Sequence, residues 1–242
     1  MVFLKFSIGS INYLFRENVM IFNAEAMAHL RGEQFSNGYF FKIIPQNCIY
    51  DRLTILKELS EGKSVLHFGC CDHVGLISNK IRDGIYLHKI LKDVSKKLIG
   101  VDINENGIHA MRVAGFKDVY LPFELPKSRY DILILPDVVE HIQDVQMFLS
   151  GLHQYDFQRI VVTSPNAYRL INRRQFNGEL INTDHRCWFS PFTLAKVLIN
   201  AGFEVERMEF TDTPSRRNFV RNLILKKFPL LQNGLLAIAK KC

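Results

Sequence analysis

Two segments decide the fold of this chain: Val65-Leu-His-Phe-Gly-Cys-Cys-Asp-His73 and Leu98-Ile-Gly-Val-Asp102. Each begins with a short apolar run, which is typical of a strand buried on both faces of a parallel sheet. The first run leads into a tight turn at Gly69, and the second ends in an acid, Asp102. In open α/β sheets such a turn brings backbone N–H groups to a ligand, and the acid accepts hydrogen bonds from ribose hydroxyls. The two segments therefore predict a nucleoside-containing ligand at one edge of a sheet.

The composition predicts a globular protein. The chain has 242 residues, of which 48% are hydrophobic and 23% charged, enough for one domain with a full core. The chain contains no run of about 18 apolar residues, so no transmembrane helix is predicted. The N-terminus lacks the pattern of a signal peptide. The five cysteines include the adjacent pair Cys70 and Cys71, which favours thiols in a reducing compartment over a disulfide framework. We therefore expect a cytoplasmic protein.

The net charge of +7 is concentrated near the C-terminus. Residues 213–242 contain seven Lys or Arg and no Asp or Glu, and the remaining residues are balanced. A nucleic-acid-binding protein usually spreads positive charge over its main fold, so no nucleic-acid partner is expected. The basic and apolar segment 213–230 leaves three interpretations open. It is a helix packed on the sheet with a solvated basic side, an amphipathic element that contacts an anionic membrane or a lipid-linked substrate, or a site for a polyanionic acceptor.

The order of predicted elements indicates the architecture. Residues 1–46 do not follow an α/β pattern and are interpreted as an N-terminal extension or lid, whereas 47–242 alternate strands with helices. This alternation predicts an α/β, Rossmann-like, doubly wound fold with a mostly parallel seven-stranded sheet and helices on both faces. Residues 74–84 are interpreted as an insertion between the turn and its helix. The predicted strands are 64–68, 98–101, 119–121, 130–135, 159–163, 203–210 and 235–239.

Five segments, in the expected order, resemble class I S-adenosylmethionine-dependent methyltransferases, most of all a bacterial small-molecule group found beside glycan-biosynthesis enzymes. They are 65–73, 99–102, 130–142, 162–166, and 188–194 together with 201–205. The resemblance covers about residues 47–210. It implies S-adenosylmethionine as the cofactor and a small-molecule acceptor, such as a hydroxyl of a sugar or glycan precursor.

The same resemblance implies roles for individual residues. In the cofactor site, the turn lies under the methionine part, Asp102 binds the ribose diol, and Ile103 packs on the adenine. The implied cofactor-binding set is Phe68, Gly69, Cys70, Cys71, Asp72, Asp102, Ile103, Phe123, Glu124, Pro136 and Asp137. The implied acceptor-binding set is His73, His88, Asp184, His185 and Trp188.

The turn departs from the family pattern at two positions. The family usually has an acid at the position of His67 and a second glycine at the position of Cys71. A positive φ at Cys71 would be strained, because this residue has a Cβ. A non-catalytic binding or scaffold protein on the same fold therefore remains an alternative. A nicotinamide-dependent oxidoreductase is less favoured, because the middle glycine of Gly-x-Gly-x-x-Gly is absent.

Methyl transfer to a hydroxyl requires a base that removes the proton. The candidates are His141, His73, His88, Asp137 and His185. His141 is our first choice, because a histidine titrates near neutral pH; the alternative is that Glu140 and His141 only orient a loop. No metal is expected, because adjacent cysteines on a tight turn point apart and no second ligand pair completes the set around His67, Asp72 and His73.

Overall fold

The computed structural model describes residues 21–173 and 181–242. The strands are β1 (Ser64–Phe68), β2 (Lys97–Val101), β3 (Val119–Tyr120), β4 (Arg129–Pro136), β5 (Asp156–Pro165), β6 (Phe203–Thr211) and β7 (Gly234–Lys241). The helices are α1 (Ala24–Arg31), α2 (Arg52–Ser60), α3 (Val74–Arg82), α4 (Leu87–Val94), α5 (Glu105–Val113), α6 (Val145–Gly151), α7 (Leu170–Arg173), α8 (Pro191–Asn200) and α9 (Phe219–Lys227). Short 3-10 turns cover Pro122–Glu124, Val139–His141, Leu152–Gln154 and Pro229–Leu231.

The strands form one seven-stranded sheet in the order β3-β2-β1-β4-β5-β7-β6. The first five are parallel, and β7 runs antiparallel between β5 and β6. β2 and β3 lie on one side of β1 in the sheet, and β4 and all later strands lie on the other side. The direction of strand addition therefore reverses between β1 and β4. Ligands of open α/β sheets bind at the carboxyl ends of the strands at such a reversal. The predicted Rossmann-like fold is confirmed, and it places the site beyond β1 and β4.

Successive side chains of a strand point to opposite sides of the sheet. In this protein helices cover both sides, so both sets of side chains are buried. Leu133 and Leu135 of β4 join the cluster that packs against α1, α6 and α8. Ile132 and Ile134 join the opposite cluster, formed with α2 and α4. This double burial explains why the strands read as continuous apolar runs in the sequence.

The segment after the turn is helical. Residues that we interpreted as an insertion form α3, which packs beside α5 in a third cluster. Cys70 and Ile77 are buried in this cluster, so the turn itself is part of the core. The helix therefore stabilises the turn.

The described part of the N-terminal region includes α1, which the sequence analysis did not predict. Its apolar stripe is short, because Ala26 and Leu30 alone are buried on the helix. The Lys196 Nζ donates a hydrogen bond to the Leu30 carbonyl at 2.6 Å, which fixes α1 to α8. The division of the chain at residue 46 stays a prediction.

Candidate active site

The carboxyl ends of β1, β2 and β4 border a cleft of about 1410 Å³. Phe68, Val101 and Pro136, the last residues of these strands, all line it. The cleft therefore lies where the reversal of strand order predicts a ligand.

The turn after β1 depends on Gly69. Its φ is +68°, and a Cβ built there would lie 2.4 Å from the Cγ2 of Val138. A side chain at this position would be strained and would also collide with the segment after β4. The glycine thus allows two neighbouring loops to approach closely at the floor of the cleft.

The N–H groups of the turn donate to the protein. The N–H groups of Gly69 and Cys70 donate to the Val101 carbonyl at 2.8 and 3.2 Å, and that of Cys71 donates to an Asp102 carboxylate oxygen at 2.9 Å. These three N–H groups, which the sequence analysis expected to donate to a ligand, therefore donate to acceptors within the protein. Cys71 does not adopt a positive φ, so the strain considered for its side chain does not arise.

Asp102 lies half-buried at the mouth of the cleft. Its second carboxylate oxygen accepts from the Asn104 N–H at 2.9 Å. Each carboxylate oxygen can accept a second hydrogen bond, so the acid still has capacity for two ribose hydroxyls. Ile103 beside it is 83% exposed, so its side chain is accessible to a ligand in the cleft.

His67, at the position where the family usually has an acid, is buried and pairs with His88. The two Nδ1 atoms lie 3.1 Å apart, and the rings stack with centroids 5.3 Å apart. Burial lowers the pKa of His67 well below its ordinary value and that of His88 to about 3. Both rings are thus neutral at pH 7, so His67 does not repel a cationic ligand. His88 borders the cleft only as a buried residue beneath the turn.

Asp137 directly follows β4 and has a φ of +54°, the single positive value at a non-glycine residue within 21–173 and 181–242. Its carboxylate accepts from the Arg52 guanidinium at 2.5 Å and from the Thr163 hydroxyl at 2.9 Å. Such a backbone conformation persists where surrounding contacts hold it. Asp137 is therefore fixed in the cleft wall. Its partner Arg52 also lines the cleft, and no pattern in the sequence indicates this position.

Glu140 is a second residue that the sequence analysis did not place in the site, having considered it only with His141 as a pair that orients a loop. It is 1% exposed, and neither carboxylate oxygen has a hydrogen-bond partner among the described residues. Burial, together with the nearby charge of Asp137, raises the pKa of Glu140 to about 8. The signal available in the sequence was an acid placed directly after two valines, in the segment that follows a buried strand.

His141 and His185 meet beside Glu140. Their rings lie edge to face with centroids 4.9 Å apart, and the Nδ1 of His141 is 2.9 Å from the Asp184 carbonyl oxygen. The loop is held by the Arg186 N–H, which donates to the Glu140 carbonyl at 2.7 Å. Burial and the charges of His141 and Arg169 lower the pKa of His185.

Most of the predicted site residues line this one cleft. These are Phe68, Gly69, Cys70, Cys71, Asp72, His73, His88, Asp102, Ile103, Pro136, Asp137, His141, Asp184 and His185. The lining does not include Phe123, Glu124 or Trp188. Glu124 instead accepts from Arg112 at 2.8 Å, and Trp188 packs against His185 with ring centroids 4.9 Å apart.

The sequence matches a known family. A family model described as a methyltransferase domain matches residues 42–207. The match spans more than half of the chain, and the chain therefore belongs to the methyltransferase-domain family. No curated protein matches the sequence.

Solved structures share the fold. A SAM-dependent methyltransferase from Archaeoglobus fulgidus is 25% identical, with a TM-score of 0.50 over 78% of this chain and 91% of that chain. The magnesium protoporphyrin IX methyltransferase from Synechocystis, solved with bound SAH, is 17% identical, with a TM-score of 0.50 over 78% of this chain and 83% of that chain. The latter likeness supports the fold alone.

The protein is an S-adenosylmethionine-dependent methyltransferase, and the predicted class and cofactor are confirmed. The site fits this cofactor in two respects: Gly69 leaves the floor of the cleft without a side chain, and Asp102 at its mouth keeps capacity for a diol. A non-catalytic scaffold and a nicotinamide-dependent oxidoreductase are thereby displaced as interpretations.

Proposed function

We propose that the methyl acceptor is a small molecule with a reactive hydroxyl, such as a sugar or glycan precursor. The size of the cleft supports this proposal, because about 1410 Å³ exceeds the roughly 300–1,000 Å³ of a typical site for one small ligand. Cofactor and acceptor therefore fit together. Beyond the predicted cofactor residues the lining includes Asp184 and His185, whose polar side chains are able to bind hydroxyls.

The observation that carries the proposal is the environment of His141. A carbonyl oxygen only accepts hydrogen bonds, so the contact with Asp184 at 2.9 Å assigns the proton of the neutral ring to Nδ1. The lone pair of Nε2 is then available to take a proton from an acceptor hydroxyl. Bound S-adenosylmethionine supplies the electrophilic methyl group, and the protein positions the acceptor and removes its proton.

The acceptor class can be tested with labelled S-adenosylmethionine and a panel of free sugars, nucleotide-linked sugars, amines and carboxylic acids. We expect label transfer to hydroxyl oxygens. Transfer to amines or carboxylates alone would overturn the hydroxyl proposal while leaving the methyltransferase class intact.

The base can be tested with His141→Ala in chelator-treated protein. Turnover should fall by about 100-fold or more, and the affinity for S-adenosylmethionine should stay unchanged. His109→Ala is the matched control, because His109 is an exposed histidine on α5. Unchanged turnover in His141→Ala would assign His141 a structural role.

We also propose that α9 contacts an anionic membrane surface, where a lipid-linked acceptor would be presented. Only Leu225 of this helix is buried, whereas Phe219 is 72% exposed and Leu223 is 48% exposed. Basic residues flank this apolar face: Arg216, Arg217, Lys226 and Lys227. A basic amphipathic helix of this kind binds anionic lipid surfaces. None of the described helices is long and apolar enough to cross a membrane.

Vesicle sedimentation tests the membrane proposal. Binding should require anionic lipid and weaken with salt, and the double variant Phe219→Ser, Leu223→Ser should lose it. Val113→Ser is the control, since Val113 is equally exposed on α5. Equal binding to neutral vesicles, or binding by the double variant, would contradict the proposal.

We propose a reducing compartment, the cytoplasm, as the location. Cys70 and Cys71 are adjacent thiols that form no disulfide, and their sulfurs lie 3.8 and 3.5 Å from the Met111 sulfur. Fractionation of cells that produce the tagged protein would test this location, and recovery outside the cytoplasm would contradict it.

A further inference from the structure

We propose that Glu140, His141 and His185 form a binding site for a divalent transition-metal cation. One ligand atom of each residue lies within 4.8 Å of those of the other two. The proposal goes beyond methyl transfer, because it concerns a second ligand on the same wall of the cleft. It reverses the sequence-based expectation that no metal binds.

Unsatisfied polar atoms provide the first support. Both carboxylate oxygens of Glu140 and the Nδ1 of His185 are buried and have no hydrogen-bond partner among the described residues. A buried polar group without a partner costs roughly 1–3 kcal/mol, and a charged one costs more. A cation that binds both residues would satisfy these atoms together.

The surrounding backbone provides the second support. The His141 Nδ1 lies 2.9 Å from the Asp184 carbonyl oxygen, which leaves Nε2 for a ligand. Metal-binding histidines usually donate their other ring N–H to a carbonyl or carboxylate in this way. The Arg186 and Cys187 N–H groups donate to the Glu140 carbonyl at 2.7 and 3.3 Å, which holds the two segments of the site together.

The donor set selects the kind of cation. Two imidazoles and one carboxylate suit zinc, iron or nickel, whereas magnesium and calcium prefer oxygen ligands. Zinc binds nitrogen and oxygen at about 2.0–2.2 Å, so ligand atoms around it lie about 3.4 Å apart. Binding a cation would draw the three ligand atoms closer together than the 4.8 Å within which they now lie. Three protein ligands leave a fourth position open.

A second cluster, formed by Cys70, Cys71 and Asp102, is less suited to a metal. Its donor atoms also lie within 4.8 Å of one another. However, both Asp102 oxygens already accept backbone N–H groups, and the pKa of the Cys70 thiol is raised far above its ordinary value by its contact with Cys71 and by burial.

The proposed metal and the proposed base use the same atom. A cation and a proton compete for the Nε2 of His141, which is why the base test uses chelator-treated protein. The metal test in turn measures cation binding and not turnover. Its result therefore does not depend on identifying the methyl acceptor.

The experiment is titration of chelator-treated, full-length protein with ZnCl₂ in a calorimeter, repeated with CoCl₂ by visible absorption. We expect one equivalent to bind, with an affinity at least about 10-fold weaker in Glu140→Gln and in His185→Ala. His109→Ala should bind as the wild type does. S-adenosylmethionine affinity, measured on the same samples, verifies that each variant is folded.

Three outcomes would overturn the proposal. They are the absence of stoichiometric zinc or cobalt binding to the wild type, equal binding in folded Glu140→Gln and His185→Ala, and tighter binding of MgCl₂ than of ZnCl₂. Zinc binding that persists in both variants would place the cation elsewhere, for example at the thiols.

Discussion

Asp102 accepts a hydrogen bond from the backbone N–H of Cys71 at 2.9 Å, so the acid that ends β2 fixes the turn that ends β1. The same carboxylate accepts from the Asn104 N–H at the start of α5. One side chain thus joins the turn after β1, the end of β2 and the start of α5. Asp102 and the turn cannot be altered independently.

Asp102→Ala should therefore weaken S-adenosylmethionine binding by about 10–100-fold. The change removes charge-assisted hydrogen bonds, each contributing about 1.5–3 kcal/mol, and releases the turn at Cys71. Calorimetry with S-adenosylmethionine measures the effect. Asp118→Ala is a suitable control, because Asp118 is an exposed acid before β3. Equal affinity in Asp102→Ala and wild type would remove Asp102 from the cofactor site.

The variants Gly69→Ala and Gly84→Ala distinguish the cost of a strained backbone conformation from the cost of a steric clash of the new Cβ. Both glycines have a φ near +68°, but a Cβ at Gly84 meets nothing within 4 Å, whereas one at Gly69 meets Val138. We expect Gly84→Ala to lower the free energy of unfolding by about 1 kcal/mol and Gly69→Ala by about 2–4 kcal/mol, since the collision adds to the strain. Denaturant titration measures both. Equal losses would show that Val138 moves aside without cost.

The fold could be predicted from sequence because its signals are local. The β4 segment from Tyr130 to Leu135 is a continuous apolar run, and Ser190 and Pro191 mark the start of α8. The spacing of Ile49, Leu53, Leu56 and Leu59 by three or four residues predicts a helix that starts near Asn47, which is too early for α2. It begins at Arg52, because the Asp51 side chain caps the helix by accepting from the Thr54 N–H.

The candidate site could be predicted only where its residues follow strands. Asp102 and Asp137 stand directly after β2 and β4, so the topology alone brings them to one edge. The contact of Arg52 with Asp137 joins residues from distant segments and has no signature in a single sequence. The pairing of His67 with His88 likewise depends on how α4 packs under the turn, which periodicity does not specify.

Asp137→Asn should lower the pKa of Glu140 from its value of about 8. Burial is the larger cause of the raised pKa, and the charge of Asp137 is the second cause; the substitution removes the second alone. The pKa should therefore fall but remain above the ordinary value for glutamate. A carbon-detected NMR titration of chelator-treated protein measures it, with Asp118→Asn as the control. An unchanged pKa would show that burial is the sole cause.

The buried pair His67 and His88 predicts that the protein loses stability as the pH falls below neutral. Burial depresses the pKa of both rings in the folded state. A histidine with a depressed folded pKa takes up protons more readily when unfolded, so its contribution is present above the unfolded pKa near 6.5 and is lost as pH falls toward the folded pKa. For His88, with a folded pKa of about 3, the loss between pH 7 and pH 5 is about 2 kcal/mol; His67 adds to it.

Urea titration at a series of pH values measures this effect. The double variant His67→Leu, His88→Leu removes both titrating groups and should have a flatter dependence of unfolding free energy on pH between 7 and 5, whatever its stability at pH 7. His109→Asn, which changes an exposed histidine, should keep the slope of the wild type. An equal slope in the double variant would mean that the two rings are not buried as neutral partners, because neutral burial requires that the unfolded chain bind more protons than the folded one in this range.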